Sequence, residues 1–364
     1  MTIPAWTEHF GAEGDRLGAM TDRLAAADGP ADAAGTWPAA LWSILTDSGA
    51  MRWSLPVEIG GDACTRPALI ERYARAAEGS LTAAFILTQR DAAVRRLRAA
   101  SDRIEARRWL GEIAAGRAFT TVGVSQLSTS RRAGAQALKA VAPAPGVYHL
   151  KGMMPWVTAA ERADVIVTGA VLDDGRQLLI AVPTDRAGLT VGPSFPLAAL
   201  QASCTAEVAC DDVPVSEADV LAGPAIDVLS TLGMMGPGGL ETSALALGQA
   251  RAALAALQVE APARDELAEP AEALAEAWQG LWADLIASAR GEPDAVPPAQ
   301  IRGRANALVL RITQAYLTAR KGSGFLLTDP AQRWARQALF FLVWSCPGPV
   351  AQAAIRDLAG LCSA

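Results

Sequence analysis

The sequence predicts an α+β protein of three consecutive parts, and three observations carry that prediction. Apolar residues recur at three- and four-residue spacing over residues 1–116, short β-branched runs separated by turn residues fill 117–225, and helical spacing returns over 226–364. The expected architecture is an N-terminal helical domain, a central β-barrel or sandwich domain and a C-terminal helical bundle. At 364 residues, with 51% hydrophobic and 19% charged, the chain can build about two or three domains around at least one large core. A mostly disordered chain is excluded.

In the first part, Leu81, Phe85, Leu87, Val94 and Leu97 follow one helical stripe, and LPVEIGGD, with Pro56 and the Gly60-Gly61 pair, reads as a turn between helices. The second part offers FTTVGVSQ, VYHLKG, ADVIVTGAVLDDG, QLLIAVP, GLTVGP and AEVACDDVPV as strands. Asp173-Asp174-Gly175, set between two apolar runs, predicts a hairpin turn. In the third part, Leu240, Ala244, Leu247, Arg251 and Leu254 set one helix, and Ile301, Leu308, Ile312 and Ala315 set another, with a break at Pro297-Pro298. A further helix is expected from about Ala331 to Ser345.

Composition removes several functions. Thirty-two Lys and Arg against 38 Asp and Glu give a net charge of −6, with no basic stripe to follow a phosphate backbone, so nucleic acid is not expected as a partner. His9 and His149 are the only histidines, which leaves little room for metal centres or histidine-activated nucleophiles and points to a borrowed reagent. Cys64, Cys204, Cys210, Cys346 and Cys362 never form a C-x-x-C pair and read as small buried hydrophobes. The beginning of the sequence carries acids where a signal peptide needs cations, and the longest strongly apolar run, Ala338 to Trp344, is far short of the roughly 18 residues of a membrane span. A cytoplasmic protein with no membrane partner is expected.

Local motifs add little by themselves. The glycines of GMMGPGGLE, Gly233 to Glu241, lack a preceding strand and a following G-K-[ST], so they read as the start of a helix before they read as a phosphate cradle. GVSQL, Gly123 to Leu127, lacks the last glycine of a nucleophile elbow and has no downstream activating histidine. His149 lies in an alternating strand and reads as a half-exposed surface residue.

Taken in order, a set of segments resembles the acyl-CoA dehydrogenase superfamily over nearly the whole chain. LPVEIGG is similar to that family's PEEYGG-like turn, and GVSQLSTSR, Gly123 to Arg131, stands where the family has a segment of the type ALTEPGAGSD. YHLKGMMPWVTAAERADVIVTGA looks like its Y-x-L-x-G-x-K-x-W-I-T-N-x-x-x-A-D run, and TAEVACDDVPVSEADVL looks like the closing strand of its β-domain. SALALGQARAALAALQVEAPARDEL is similar to the first long helix of its C-terminal domain. KGSGFLLTDPAQRWARQALFFLVW matches its glycine-rich loop and following helix through Gly322, Gly324, Phe325, Pro330, Arg333 and Arg336.

The resemblance implies FAD, with FMN as the alternative. Ser125 stands at a threonine that bonds the flavin pyrimidine edge, Trp156 would flank the isoalloxazine, and Thr158 would hydrogen-bond near N5. Arg264 stands at the arginine that contacts the cofactor pyrophosphate, a task suited to a planar guanidinium. Gly322 and Gly324 belong to a loop that reaches the cofactor of a neighbouring subunit, which implies a homodimer or homotetramer; Lys321 and Thr318 replace a family glycine and glutamine there. Ser128 and Ser130 replace the substrate-side residues of the AGSD type.

The reaction implied is α,β-desaturation of an acyl thioester, carried on coenzyme A or a carrier protein, with an external electron acceptor. Most members follow the arginine-containing helix with Y-E-G, whose glutamate is the base; here Trp344, Ser345 and Cys346 occupy those positions. A serine hydroxyl is too weakly basic for that role. Glu241, about one turn, roughly 5 Å, beyond the place where some members carry the base, is the candidate that remains. Two alternatives stay open on the same fold. One is a flavin-dependent monooxygenase or oxidase, which needs no glutamate base and is served by a flavin reductase; the other is a member without flavin or redox chemistry.

Overall fold

A computed structural model describes residues 6, 12–62, 64–127, 138–231 and 239–361. The N-terminal helices are α1 (Ala12–Ala34), α2 (Ala39–Asp47), α3 (Arg66–Gly79), α4 (Leu81–Ala99) and α5 (Ile104–Ala114). Ser80 separates α3 from α4, closing the first and capping the second. Its Oγ accepts from Ala83 N (3.1 Å), capping α4, and donates to the buried Asp28 of α1 (2.5 Å). Between α2 and α3 the LPVEIGG stretch forms the expected turn. Gly60 has φ 90°, and a Cβ on Gly61 would lie 1.9 Å from the Leu55 carbonyl oxygen, so both glycines are required by geometry.

The eight strands are β1 (Thr120–Gly123), β2 (Leu138–Ala144), β3 (Val147–Val157), β4 (Val165–Val171), β5 (Gln177–Pro183), β6 (Leu189–Val191), β7 (Ala206–Ser216) and β8 (Val220–Ala225). They form one sheet in the order β6-β7-β3-β2-β4-β5-β8, with β1 added parallel to β4. The β4–β5 hairpin turns at Asp173-Asp174-Gly175, where Gly175 has φ 85° and Leu172 N donates to Arg176 O (2.8 Å). Val165 to Val171 faces a core on both sides, because one face of β4 packs within the β-domain and the other meets α4 and α5. That explains a run of β-branched residues without alternation.

The C-terminal part contains α6 (Val228–Thr231), α7 (Leu240–Glu260), α8 (Ala268–Arg290), α9 (Pro298–Arg320), α10 (Pro330–Leu339) and α11 (Gly348–Leu358). Pro298 opens α9 at a position where a missing N–H costs nothing. Helices α7 to α10 share one apolar core with α1 to α4. The tightest crossing is at Gly248 of α7, where a Cβ would sit 2.0 Å from the Ala74 carbonyl oxygen of α3.

The helix expected from Ala331 to Ser345 stops at Leu339. The cause is Arg302, fully buried on α9. Its Nη2 donates to Phe341 O (3.1 Å) and Trp344 O (2.7 Å), and Asn306 Nδ2 also donates to Phe341 O (2.9 Å). Side chains thus take carbonyls at the turn that follows α10, and Ser345 reverses the chain at φ 45°.

Candidate active site

Where the three parts meet, a cavity of about 300 Å³ opens between α4, the ends of β1 and β3, and the turn that Arg302 holds after α10. That volume falls at the lower end for small-molecule sites. Helix α4 contributes Phe85 and Gln89, the β-domain contributes Val122, Val124, Ser125, Trp156, Thr158, Leu197 and Thr205, and the turn contributes Phe340, Val343, Trp344 and Ser345. None of these described lining residues is ionisable.

Each wall has a local cause. Ser125 follows β1 in a short turn pinned by Gln126, whose buried amide donates to Gly123 O (2.9 Å), Thr168 Oγ1 (3.0 Å) and Gly169 O (2.9 Å). The Ser125 hydroxyl is buried and has no hydrogen-bond partner among the described residues. Trp156, at the end of β3, is 46% exposed and packs against Phe195 with centroids 4.9 Å apart. Opposite, Phe340 and Trp344 stack (5.2 Å, 11°), and Phe85 meets both edge-on at 5.0 and 4.8 Å. Thr158 is buried; its carbonyl accepts from Thr121 Oγ1 (2.8 Å) and its hydroxyl from Thr205 Oγ1 (3.3 Å).

Ser125, Trp156, Thr158 and Ser345 are therefore brought to one cavity. Arg264, Gly322 and Gly324 lie together elsewhere, where α7 and α9 end. Arg264 donates to Glu260 (3.2 Å), Glu266 (3.0 Å) and Ala319 O (2.7 Å), so its guanidinium is held by its own chain. Gly324 is required there, since a Cβ would meet the Arg320 Cβ at 2.5 Å, whereas Gly322 faces open space. Lys321, which the family resemblance aligns with a glycine, has φ 54° and ψ −143°, a strained conformation for a side-chain-bearing residue.

Glu241 occupies the first turn of α7 and is not among the residues lining the cavity. Its carboxylate lies 3.9 Å from both Arg66 and Arg95, and it curls back over Gly239. Burial lowers the neighbouring Arg96 to about 10, and burial also pushes the Tyr73 phenol well above its ordinary value. Ser128 and Ser130 lie outside the described residues, as does most of the Gly233–Glu241 stretch.

Several lining residues carry no sequence signal. Phe85 and Gln89 sit on α4, buried on nearly every side, where helical spacing announces core and nothing more. Arg302 looks like an ordinary charged residue of an amphipathic helix; burial lowers its pKa to about 10, and its partners are carbonyls and an amide. His149 pairs at the surface with Asp212 (3.1 Å). Among the described residues no group of three or more His, Cys, Asp or Glu is placed to hold a metal ion, and no helix is long and apolar enough to cross a membrane.

No known family profile matches the chain. A curated relative, the probable acyl-CoA dehydrogenase YngJ of Bacillus subtilis (strain 168), is 31% identical over 166 residues; the match spans 44% of this chain and 43% of that protein. Among solved structures, a glutaryl-coenzyme A dehydrogenase in complex with glutaryl-CoA has a TM-score of 0.82 at 15% identity, covering 98% of each chain. A glutaryl-CoA dehydrogenase from Mycobacterium smegmatis in complex with FADH2 has a TM-score of 0.76 at 19% identity, covering 97% of this chain and 95% of that one. Dibenzothiophene monooxygenase from Paenibacillus sp. A11-2 has the same TM-score at 18% identity, covering 96% of each. From end to end of its helical, β and helical parts, the chain has the fold of the acyl-CoA dehydrogenase superfamily.

Proposed function

We propose that the protein is a flavin-dependent oxidoreductase that works on an uncharged, apolar group in the three-part cavity without a side-chain base. The observation that carries this reading is the lining: no described residue of it is ionisable, and it includes Ser345, which the family resemblance aligns with the glutamate base. The residues suit a flavin. Ser125 offers a buried hydroxyl without a partner among the described residues, Trp156 an exposed indole face, and Thr158 a second hydroxyl beside it. Similarity to a fold solved with FADH2 supports FAD before FMN. A bound flavin supplies electron acceptance and, when reduced, reaction with dioxygen.

The protein's own part is positioning. Phe85, Phe340 and Trp344 exclude water at one end and present flat apolar surface to the substrate. Monooxygenation fits such a cavity: a flavin reductase supplies two electrons, two protons are taken up, one atom of dioxygen enters the substrate and the other leaves as water.

Desaturation of an acyl thioester is the second reading, favoured by the resemblance of part of the chain to a probable acyl-CoA dehydrogenase. It assigns the proton to Glu241, held 3.9 Å from Arg66 and Arg95. The FAD-loaded protein, mixed with butyryl-CoA or glutaryl-CoA without oxygen, decides between them. Persistent yellow colour, with oxygen uptake once a reductase and an apolar substrate are added, supports the first reading. Anaerobic bleaching that Glu241→Gln abolishes replaces it with the second. A protein that takes up no flavin overturns both.

The exposed run Phe325 (79%), Leu326 (59%) and Leu327 (84%), next to Gly322 and Gly324, is proposed to meet a second copy of the chain in a homodimer or homotetramer. Light scattering of Leu327→Glu beside the unaltered protein checks it: the variant should lose mass.

A further inference from the structure

Behind Thr158 runs a short line of buried hydroxyls. Thr205 Oγ1 donates to Thr158 Oγ1 (3.3 Å), and Ser203 Oγ lies 2.8 Å from Thr205 Oγ1. Thr158 and Thr205 line the cavity, while Ser203 is fully buried behind them. A hydroxyl has one proton. With the Thr205 proton directed to Thr158, Ser203 is left as the donor to Thr205. The direction of the chain is thereby fixed as Ser203 to Thr205 to Thr158. The Thr158 proton is left over, and the cavity is the side on which it remains free.

The backbone enforces this line. Val157 pairs with Ala206 where β3 and β7 meet, and Ala159 N donates to Ser203 O (2.9 Å), so the two hydroxyl-bearing segments are locked side by side. Both segments bend at strained residues, Ala159 at φ 53° and Cys204 at φ 48°. Strain of this kind persists where surrounding structure imposes it. Thr121 Oγ1 donates to the Thr158 carbonyl from the other side (2.8 Å), so the backbone of this residue is held on both flanks.

We infer that Ser203 and Thr205 are positioning residues that polarise Thr158 into an obligatory hydrogen-bond donor toward the cavity's ligand. This rests on the flavin reading. The edge of an oxidised isoalloxazine carries mostly lone pairs, whereas reduction adds N–H groups. A Thr158 locked as donor therefore holds the oxidised ring more tightly than the reduced one. In a line of hydrogen bonds of one direction each member strengthens the next, and removing the middle member frees the Thr158 hydroxyl to rotate.

The test is FAD binding and reduction potential of the unaltered protein, Thr205→Val, Thr205→Ser and Ser203→Ala. Thr205→Val should raise the Kd for oxidised FAD roughly three- to tenfold, as expected for one hydrogen bond. It should raise the Kd for reduced FAD less, so that the potential moves positive and the visible bands of the bound flavin shift. Thr205→Ser, which keeps the hydroxyl, should restore all three, and Ser203→Ala should move them partway. Should Thr205→Val fail to fold, Ser203→Ala carries the same test. Unchanged Kd, spectrum and potential in a flavin-loaded variant overturn this inference and leave the flavin reading standing. Absence of flavin binding by the unaltered protein overturns both.

Discussion

Cys204 and Cys210 show how single residues set the response to pH. Burial pushes each thiol up to about 11, with Glu161 adding to the effect at Cys204. The folded value exceeds the ordinary thiol value of 9.0, so the stability each contributes is complete below about pH 9 and is lost as pH rises through 11. The loss amounts to about 2–3 kcal/mol per thiol. Urea denaturation at pH 8.5 and 10.5 should show a smaller alkaline loss for Cys210→Ala than for the unaltered protein, whatever the constant cost of the cavity it leaves. The reading of these cysteines as small buried hydrophobes needs only their isolation from one another in sequence. The same logic fails for Arg302: a guanidinium in the pattern IRGRANALVLR reads as solvent-facing, and only the carbonyls brought by a turn about forty residues later make it an interior residue.

At the scale of elements, the α3–α7 crossing depends on one missing methyl group. Gly248→Ala would press a Cβ against the Ala74 carbonyl, with backbone on both sides and no flexible side chain to yield. A destabilisation of about 3 kcal/mol is expected from overpacking of this kind, and thermal unfolding of the variant measures it. In the turn that closes α9, Lys321→Gly should instead stabilise by about 1 kcal/mol, because the strain at φ 54° exceeds the added freedom of glycine in the unfolded chain. Six of the eight strands were legible because β-branched runs and turn chemistry are local properties, as at Asp173-Asp174-Gly175, whereas β2 and β8, alanine-rich and each carrying a proline, offered no such run. The end of α10 was not, because Arg302 and Asn306 decide it from another helix. For the same reason the cavity was half legible. Ser125, Trp156 and Thr158 stand in recognisable short segments, whereas Phe85, Gln89 and Thr205 join them only when α4 and the start of β7 fold alongside.

For the molecule as a whole, a cavity lined by all three parts makes ligand binding and folding report on each other. A hundredfold excess of FAD over its Kd should add about 2.7 kcal/mol and raise the melting temperature by a few degrees, and Trp156→Ala should show a smaller rise at the same FAD concentration. The dependence on distant parts also has a consequence for the order in which the protein is made. Asp28 and Asp32 of α1 wait for Arg333 and Arg336 of α10; Asp32 and Arg336 are separated by 304 residues. Phe340, Trp344 and Ser345 follow immediately behind those arginines. A ribosome at about 5–20 residues per second therefore exposes α1 and α4 for tens of seconds before their partners emerge. For that interval Phe85 of α4 lacks the Phe340 and Trp344 that cover it, and Asp28 has Ser80 but not Arg333, so a nascent chain at this stage exposes apolar surface that a chaperone would cover.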